Sequence, residues 1–169
     1  MYKRQFWRWS APRYAFHNHQ LGKSVKRGFH ALARNETRVA YAPVMWETRP
    51  DWDGDLEQMW FRGTHGDIGG HLTGFIAARP LANIPLVWML DQAETCGLPL
   101  PLNWAARFPQ DGAAPSVGTF SGLGRWFITR KPRSVGLDAS ERVHPSVASA
   151  PAQRSWPKRL LGGRGTDAL

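Results

Sequence analysis

The chain has 169 residues, 42% hydrophobic and 12% aromatic, a composition that excludes a wholly disordered protein and is typical of one domain of ordinary size. The formal net charge is +9 but is concentrated at the ends: residues 1–27 carry seven Lys and Arg and no acid, whereas residues 28–124 carry six against ten Asp and Glu. This distribution argues against a continuous nucleic-acid-binding face, and no apolar run reaches the roughly 18–20 residues of a membrane-spanning helix.

Composition divides the chain into three segments. Residues 1–13 form a basic, aromatic N-terminal segment, and residues 14–136 are expected to hold the folded α/β domain. Residues 137–169 read as a flexible basic tail. The N-terminal segment lacks the apolar run and cleavage site of a secretory signal, and we expect a cytoplasmic location.

The first predicted element is an amphipathic helix over residues 22–34, GKSVKRGFHALAR. Val25, Phe29 and Leu32 follow one another at i, i+4 and i+7, which is the spacing of one helical face. Lysines and arginines occupy much of the remainder. His30 would lie within this helix and pack in the region of the site.

The next elements alternate between extended segments and turns. Residues 38–46, RVAYAPVMW, look extended, and the polar residues 47–57 indicate a turn region because they contain Pro, Asp and Gly. Residues 58–62, QMWFR, predict a short strand. A glycine-rich loop over residues 63–70 follows this strand directly.

The clearest helix signal covers residues 81–96, LANIPLVWMLDQAETC. Its predicted apolar stripe has four members: Leu86, Val87, Leu90 and Ala93. Asn83 could cap the helix, Pro85 would fit its first turn, and Gly97 suits the left-handed position after its end. Beyond it we expect loops, with one short strand or hairpin near residues 125–129.

The candidate site is the loop GTHGDIGG, in which four glycines surround His65 and Asp67: Gly63, Gly66, Gly69 and Gly70. Sites in open α/β sheets lie at the carboxyl ends of strands, where such loops occur. Three readings remain open. The loop could be a structural turn, a metal site using His71 as a third ligand, or a hydrolase loop whose small residues let an imidazole reach a nucleophile.

Three sequence blocks carry a resemblance to a known family: GFHALARNETRVAYAPVMW, EQMWFRGTHGDIGG and ARPLANIPLVWMLDQAETCGLPLP. In this order and spacing they resemble the α/β-hydrolase family that includes the phospholipase effectors of type VI secretion systems. The matched stretch runs from about Tyr14 to Pro101. Weaker similarity, in PSVGTF and ERVHPSV, extends to about Val147.

The resemblance implies a serine hydrolase with a Ser-Asp-His triad that acts on lipid or other ester bonds. It places the general base at His65 and leaves Asp67 and the four glycines to shape the loop. The implied fold is the C-terminal portion of an α/β-hydrolase-like domain, with an incomplete parallel sheet, flanking helices and a loop-rich C-terminal region. Export by a type VI secretion system would follow from the family only.

The chain departs from the family pattern at several positions. It contains no G-x-S-x-G nucleophile elbow, and no Asp precedes Asp51. Asn35 stands where the family usually has the first of two acids, which predicts a weaker loop if that pair organises it. We therefore expect a fragment of a hydrolase that is inactive alone and that needs a missing N-terminal half or a partner chain.

Two further classes of function remain. A non-catalytic interaction or regulatory protein could keep the hydrolase half-fold. A basic nucleic-acid-binding protein is the third class, because four tryptophans lie among Lys and Arg: Trp7, Trp9, Trp126 and Trp156. The resemblance and the mildly acidic middle favour a lipid or ester substrate over nucleic acid. We expect no metal and no cofactor, and a lone Cys96 allows no intramolecular disulfide.

Overall fold

The computed structural model describes residues 19–120 and 126–149. Its centre is a three-stranded parallel sheet in the order β1-β2-β3. The strands are β1 (Arg27–Ala33), β2 (Asp55–Phe61) and β3 (Glu141–Val143). Two α-helices follow β2 along the chain, the single turn α1 (His65–Ile68) and the long α2 (Arg79–Thr95). The open parallel sheet and its helices confirm the predicted partial α/β fold.

The predicted helix over residues 22–34 is wrong, because residues 27–33 form β1. All seven residues of β1 pair in register with β2, from Arg27 with Asp55 to Ala33 with Phe61. Alternate side chains then face opposite sides of the sheet. Phe29 packs edge-on against Trp88 of α2 at 6.1 Å between ring centroids, whereas His30 packs against Trp46 at 5.3 Å. Pairing with β2 therefore overrides a spacing that also fits a helix.

The strand predicted at residues 58–62 is confirmed, and it begins earlier, at Asp55. β2 is the central strand, because it pairs with β1 on one side and with β3 on the other. Its residues Gln58, Trp60 and Phe61 are fully or almost fully buried. Burial on both faces is characteristic of a strand inside a parallel sheet.

Part of the stretch predicted to be a flexible tail, residues 137–169, is structured, because β3 and the 3-10 turn Pro145–Val147 lie within it. The carboxylate of Glu141 is buried and accepts a 2.6 Å hydrogen bond from Nε1 of Trp60. It also accepts bonds from three backbone amides, those of residues 136, 137 and 138. Burial disfavours the charge of Glu141, but these donors outweigh it and lower the pKa. Residues 150–169 lie outside the described residues.

The predicted helix at residues 81–96 is confirmed as α2, although its details differ. Pro80 rather than Pro85 lies in the first turn, and Pro85 lies in the helix interior. Asn83 is not a cap, because it is buried inside the helix and donates from Nδ2 to the carbonyl of Pro109 at 2.8 Å. Gly97 does adopt the left-handed conformation, with φ of 92°.

The hydrophobic core lies between α2 and the sheet. Its buried centre consists of four residues: Phe61, Leu81, Ile84 and Ala114. A second buried group joins the start of α2 to the loop before it: Leu72, Ala78 and Ala82. Val87 of the predicted stripe is buried, but Leu86 is 39% exposed, whereas Leu81 and Ile84 outside the stripe are buried.

The connections contain short turns rather than strands. Residues 38–46, predicted to be extended, contain the 3-10 turn Val39–Tyr41. The strand or hairpin predicted near residues 125–129 does not appear in its described part, where the nearest strand-like pairing is an isolated antiparallel bridge between Arg130 and Arg38. Among the described residues, no helix combines the length and the apolar character that crossing a bilayer requires.

Candidate functional site

The site lies where β1 and β2 end, because parallel strands present their carboxyl ends at the same edge of the sheet. The chain leaving β1 and the chain leaving β2 are bonded to each other there. Arg34 donates its amide to the carbonyl of Phe61 at 3.0 Å, and Asn35 donates its amide to the carbonyl of Gly63 at 3.0 Å. These two bonds fix the backbone at Gly63, where the candidate loop begins.

Asn35 also bonds the loop through its side chain. Its Oδ1 accepts the amide of Gly63 at 2.8 Å. The bond requires only an acceptor oxygen, which an amide supplies as an aspartate would. Asparagine therefore keeps this contact with the loop, and a weakening relative to an acid at this position stays a prediction.

Asp67 is fully buried and collects four hydrogen bonds. Its Oδ2 accepts from the amide and the hydroxyl of Thr64, at 2.7 and 2.8 Å, and from the hydroxyl of Ser116 at 2.6 Å. Its Oδ1 accepts the amide of Val117 at 2.9 Å. The first bond closes a capping turn at the start of α1, and the last two join the loop to residues 116–117.

Gly63 is the point at which the loop requires a glycine. Its φ is +121°, a conformation that other residues rarely adopt. A Cβ at this position would lie 2.7 Å from the Cβ of Asp67. Of the other predicted glycines, Gly66 lies in α1, and Gly69 and Gly70 follow it.

His65 is the first residue of α1 and is exposed at the end of the sheet. Its backbone amide donates to Oε2 of Glu36 at 3.1 Å. Glu36 is only 1% exposed and is held by Arg38, whose Nε donates to Oε1 at 2.8 Å and whose Nη2 donates to Oε2 at 2.6 Å. Burial disfavours the charge of Glu36, but the bonds from Arg38 and His65 outweigh it and lower the pKa.

Sequence reasoning missed the contact between Glu36 and His65. The mistaken helix over residues 22–34 hid the sheet edge that the two residues share. The usable signal was position along the chain: Glu36 and His65 each lie within four residues of the end of a strand, and β1 and β2 end together because they pair in parallel.

A cavity of about 530 Å³ opens beside His65. Its polar lining comes from five residues: His30, Glu36, Tyr41, His65 and Arg133. The remaining walls are mostly aliphatic and include residues 42–44 and Ile68. The ring of Tyr41 lies 4.7 Å from the imidazole of His65, at an interplanar angle of 36°. A few polar side chains in a largely apolar cavity are a common arrangement in ligand sites.

A family model described as "T6SS, Phospholipase effector Tle1-like, catalytic domain" matches residues 1–92, more than half of the chain. The chain belongs to this family. The match confirms the resemblance noted in the sequence, and it covers β1, β2, the His65 loop and most of α2. No significant match was found among curated proteins or among solved structures.

Three other histidines of this Tle1-like chain lie in different surroundings. His30 lines the cavity from β1 rather than from a helix, and burial lowers its pKa. His71 is exposed and does not line the cavity. The ring of His144 packs 4.8 Å from that of Phe61, and its Nδ1 accepts the amide of Ser146 at 3.1 Å.

The metal alternative required His65, Asp67 and His71 to converge. The described part of the Tle1-like chain contains no group of three or more His, Cys, Asp or Glu side chains placed to hold a metal ion. The oxygens of Asp67 are instead occupied by protein donors.

Proposed function

We propose that this Tle1-like chain contributes the histidine of a phospholipase-like ester hydrolase site, with His65 as the general base. The position of His65 carries the proposal: the first residue of α1, beyond the carboxyl end of β2, exposed beside the 530 Å³ cavity. A general base must reach the hydroxyl that it deprotonates, and this position leaves room for a nucleophile and an ester at the cavity mouth.

Asp67 and the loop glycines are assigned to shaping the loop rather than to the triad. The four donors to Asp67 support this assignment, because they use both carboxylate oxygens within the loop and its neighbour at residues 116–117. A triad acid, by contrast, directs an oxygen to the imidazole that it orients. Membership of the Tle1-like family supports a lipid or ester substrate, and the aliphatic cavity walls are compatible with an acyl chain.

The chain alone is proposed to be inactive. Its 169 residues contain no G-x-S-x-G elbow, and a histidine without its nucleophile retains little of a triad's rate enhancement. The nucleophile and the acid would come from a segment or chain beyond these residues. Export by a type VI secretion system is proposed from the family alone, and location in the cytoplasm before export stays a prediction.

The test is ester hydrolysis by the purified chain and by a reconstituted pair. Alone, the chain should not hydrolyse a p-nitrophenyl ester or a phospholipid above background. Mixed with the nucleophile-bearing segment of a catalytically complete member of the Tle1-like family, it should restore turnover. His65→Ala should abolish that turnover, and His71→Ala, which lies just after the loop and outside the cavity, should preserve it. Turnover by the chain alone, or restored turnover that survives His65→Ala, contradicts the proposal.

A non-catalytic interaction protein is the second candidate, and one observation favours it. Within the described residues β1 pairs only with β2, which leaves the other edge of β1 available for a strand from another chain. The reconstituted mixture separates the two candidates. Complex formation without hydrolysis in every mixture would support the interaction protein.

A further inference from the structure

His65 is held at two separate points. Its backbone amide donates to the carboxylate of Glu36 at 3.1 Å, and its ring lies 4.7 Å from that of Tyr41. The amide belongs to the first turn of α1, where N–H groups have no partner within the helix. Glu36 therefore satisfies a donor that the helix itself leaves unpaired.

Arg38 connects these two points. Its guanidinium forms a two-pronged ion pair with Glu36, and its Cζ lies 4.3 Å above the centroid of the Tyr41 ring. A planar guanidinium can pair with a carboxylate along its edge and cover an aromatic ring with its face. The contacts form a closed circuit from Glu36 through Arg38 and Tyr41 to His65 and back to Glu36.

A distant part of the chain fixes the same circuit. Nη2 of Arg133 donates to the carbonyls of Arg38 at 3.0 Å and Tyr41 at 2.8 Å. Arg38 also bonds back to Glu36 through its own amide, at 2.9 Å. These three bonds fix the backbone between Glu36 and Tyr41, the two residues that contact His65.

From this circuit we infer that Glu36, Arg38 and Tyr41 are positioning residues for His65. The carboxylate fixes the backbone of His65, the tyrosine ring restricts the orientation of the imidazole, and the guanidinium holds both at once. None of the three is a catalytic residue. We call the contacts of Glu36, Arg38 and Tyr41 with His65 the clamp. The consequence for catalysis rests on the proposed role of His65, whereas the clamp itself can be measured without any activity.

The backbone half of the clamp is tested by hydrogen exchange in the full chain. The His65 amide should be protected in the wild-type chain and should exchange at the rate of an open amide in Glu36→Ala. Glu36→Gln keeps one acceptor oxygen and should retain part of the protection. Asp91→Asn, an exposed change on α2, is the matched control and should leave the amide unaffected. The amide of Gly69, which bonds to the carbonyl of His65, reports whether α1 remains folded.

The ring half is tested by the proton shifts of the His65 imidazole. An aromatic neighbour shifts these protons upfield, so Tyr41→Phe should preserve the shift and Tyr41→Leu should abolish it. Arg38→Lys keeps a cation beside Glu36 but loses the planar guanidinium. The upfield shift of the His65 imidazole protons should therefore decrease, while the His65 amide stays partly protected from exchange. This variant retains the charge and serves where Glu36→Ala does not fold.

Two results overturn the clamp: equal exchange of the His65 amide in the wild-type chain and Glu36→Ala, or equal ring shifts in the wild-type chain and Tyr41→Leu. In the reconstituted hydrolase, Glu36→Ala should lower kcat about 10- to 100-fold with little change in KM, because a displaced base loses reactivity rather than substrate binding. The clamp signals without His65-dependent turnover would refute the proposed function alone. His65-dependent turnover without the clamp signals would refute the clamp alone.

Discussion

Asn35 and Gly63 form two hydrogen bonds with each other at the point where β1 and β2 end. The Asn35 amide donates to the Gly63 carbonyl at 3.0 Å, and the Gly63 amide donates to Oδ1 of Asn35 at 2.8 Å. Asn35→Ala removes the second bond and leaves an amide without its acceptor, so it should destabilise the fold by about 1–2 kcal/mol. Asn35→Asp keeps the acceptor and should cost less.

The free energy of unfolding in urea, followed by tryptophan fluorescence, measures this difference. Gln110→Ala is the control, because Gln110 is exposed. Equal stability of Asn35→Ala and the control would show that the side-chain bond does not hold the loop.

Asp67 should be the costliest polar residue of the loop to replace. It is 0% exposed and accepts four hydrogen bonds. In Asp67→Asn the new NH₂ group faces donors of the protein, so the unfolding free energy should fall by about 2–4 kcal/mol. Asp53→Asn, an exposed change, should alter it by less than about 0.5 kcal/mol. A loss of similar size in both variants in urea unfolding would contradict the assignment of Asp67 as the centre of the loop.

The parts of the fold that sequence predicted are those fixed by local signals. Residues 58–62 combine β-forming residues with a glycine boundary, and α2 has a run of helix-forming residues with Gly97 after its end. These signals act within a few residues, so they can be read without knowing the neighbouring elements.

The missed parts depend on distant partners. β1 forms because its seven residues pair in parallel with β2, although Val25, Phe29 and Leu32 also have helical spacing. β3 is only three residues long, and it forms against the already buried β2. No local pattern distinguishes such a strand from a tail.

The sequence indicated which loop carries the candidate residues but not the contacts that support this loop. His65 and Asp67 were found because glycines surround them, a signal within one loop. The contact of Glu36 with His65 spans 29 positions and requires the parallel pairing of β1 with β2. The pairing of β1 with β2, which the sequence did not predict, is what brings Glu36 to His65.

His144 should make stability depend on pH. Burial lowers its pKa below the ordinary value of 6.5, and its Nδ1 accepts the Ser146 amide only when that nitrogen carries no proton. The unfolded chain then binds the proton more readily, so the stabilisation is complete above about pH 6.5 and is lost as the pH falls through the folded pKa. His144→Asn keeps an acceptor without titrating and should reduce the change in unfolding free energy between about pH 7 and pH 5.

Urea unfolding at the two pH values checks this slope rather than the absolute stability, because the variant also loses ring packing on Phe61. His71→Asn removes an exposed histidine and serves as the control. An unchanged slope in His144→Asn would assign the pH dependence elsewhere, for example to His30, whose pKa is also lowered by burial.

Gly63 and Gly74 allow backbone strain to be separated from a steric clash. Both have positive φ, +121° and +85°, but a Cβ would lie 2.7 Å from Asp67 at the first position and meets nothing within 4 Å at the second. Gly74→Ala should cost about 1 kcal/mol from its conformation alone, and Gly63→Ala clearly more. Thermal unfolding of both variants measures the difference. Equal losses would indicate that the loop shifts to accept the methyl group without strain against Asp67.

The orientation of α2 can be tested with two leucines that sequence and structure rank in opposite order. The sequence places Leu86 in the apolar stripe, whereas the structure leaves it 39% exposed and buries Leu81 to 1% exposure beside Phe61 and Ile84. Leu81→Ala should therefore create a cavity and lower the unfolding free energy by about 2–5 kcal/mol. Leu86→Ala should cost well below half of that, because much of its side chain already contacts water. Urea unfolding of the two variants decides between them, and a larger loss for Leu86→Ala would mean that α2 packs on the face the sequence indicates.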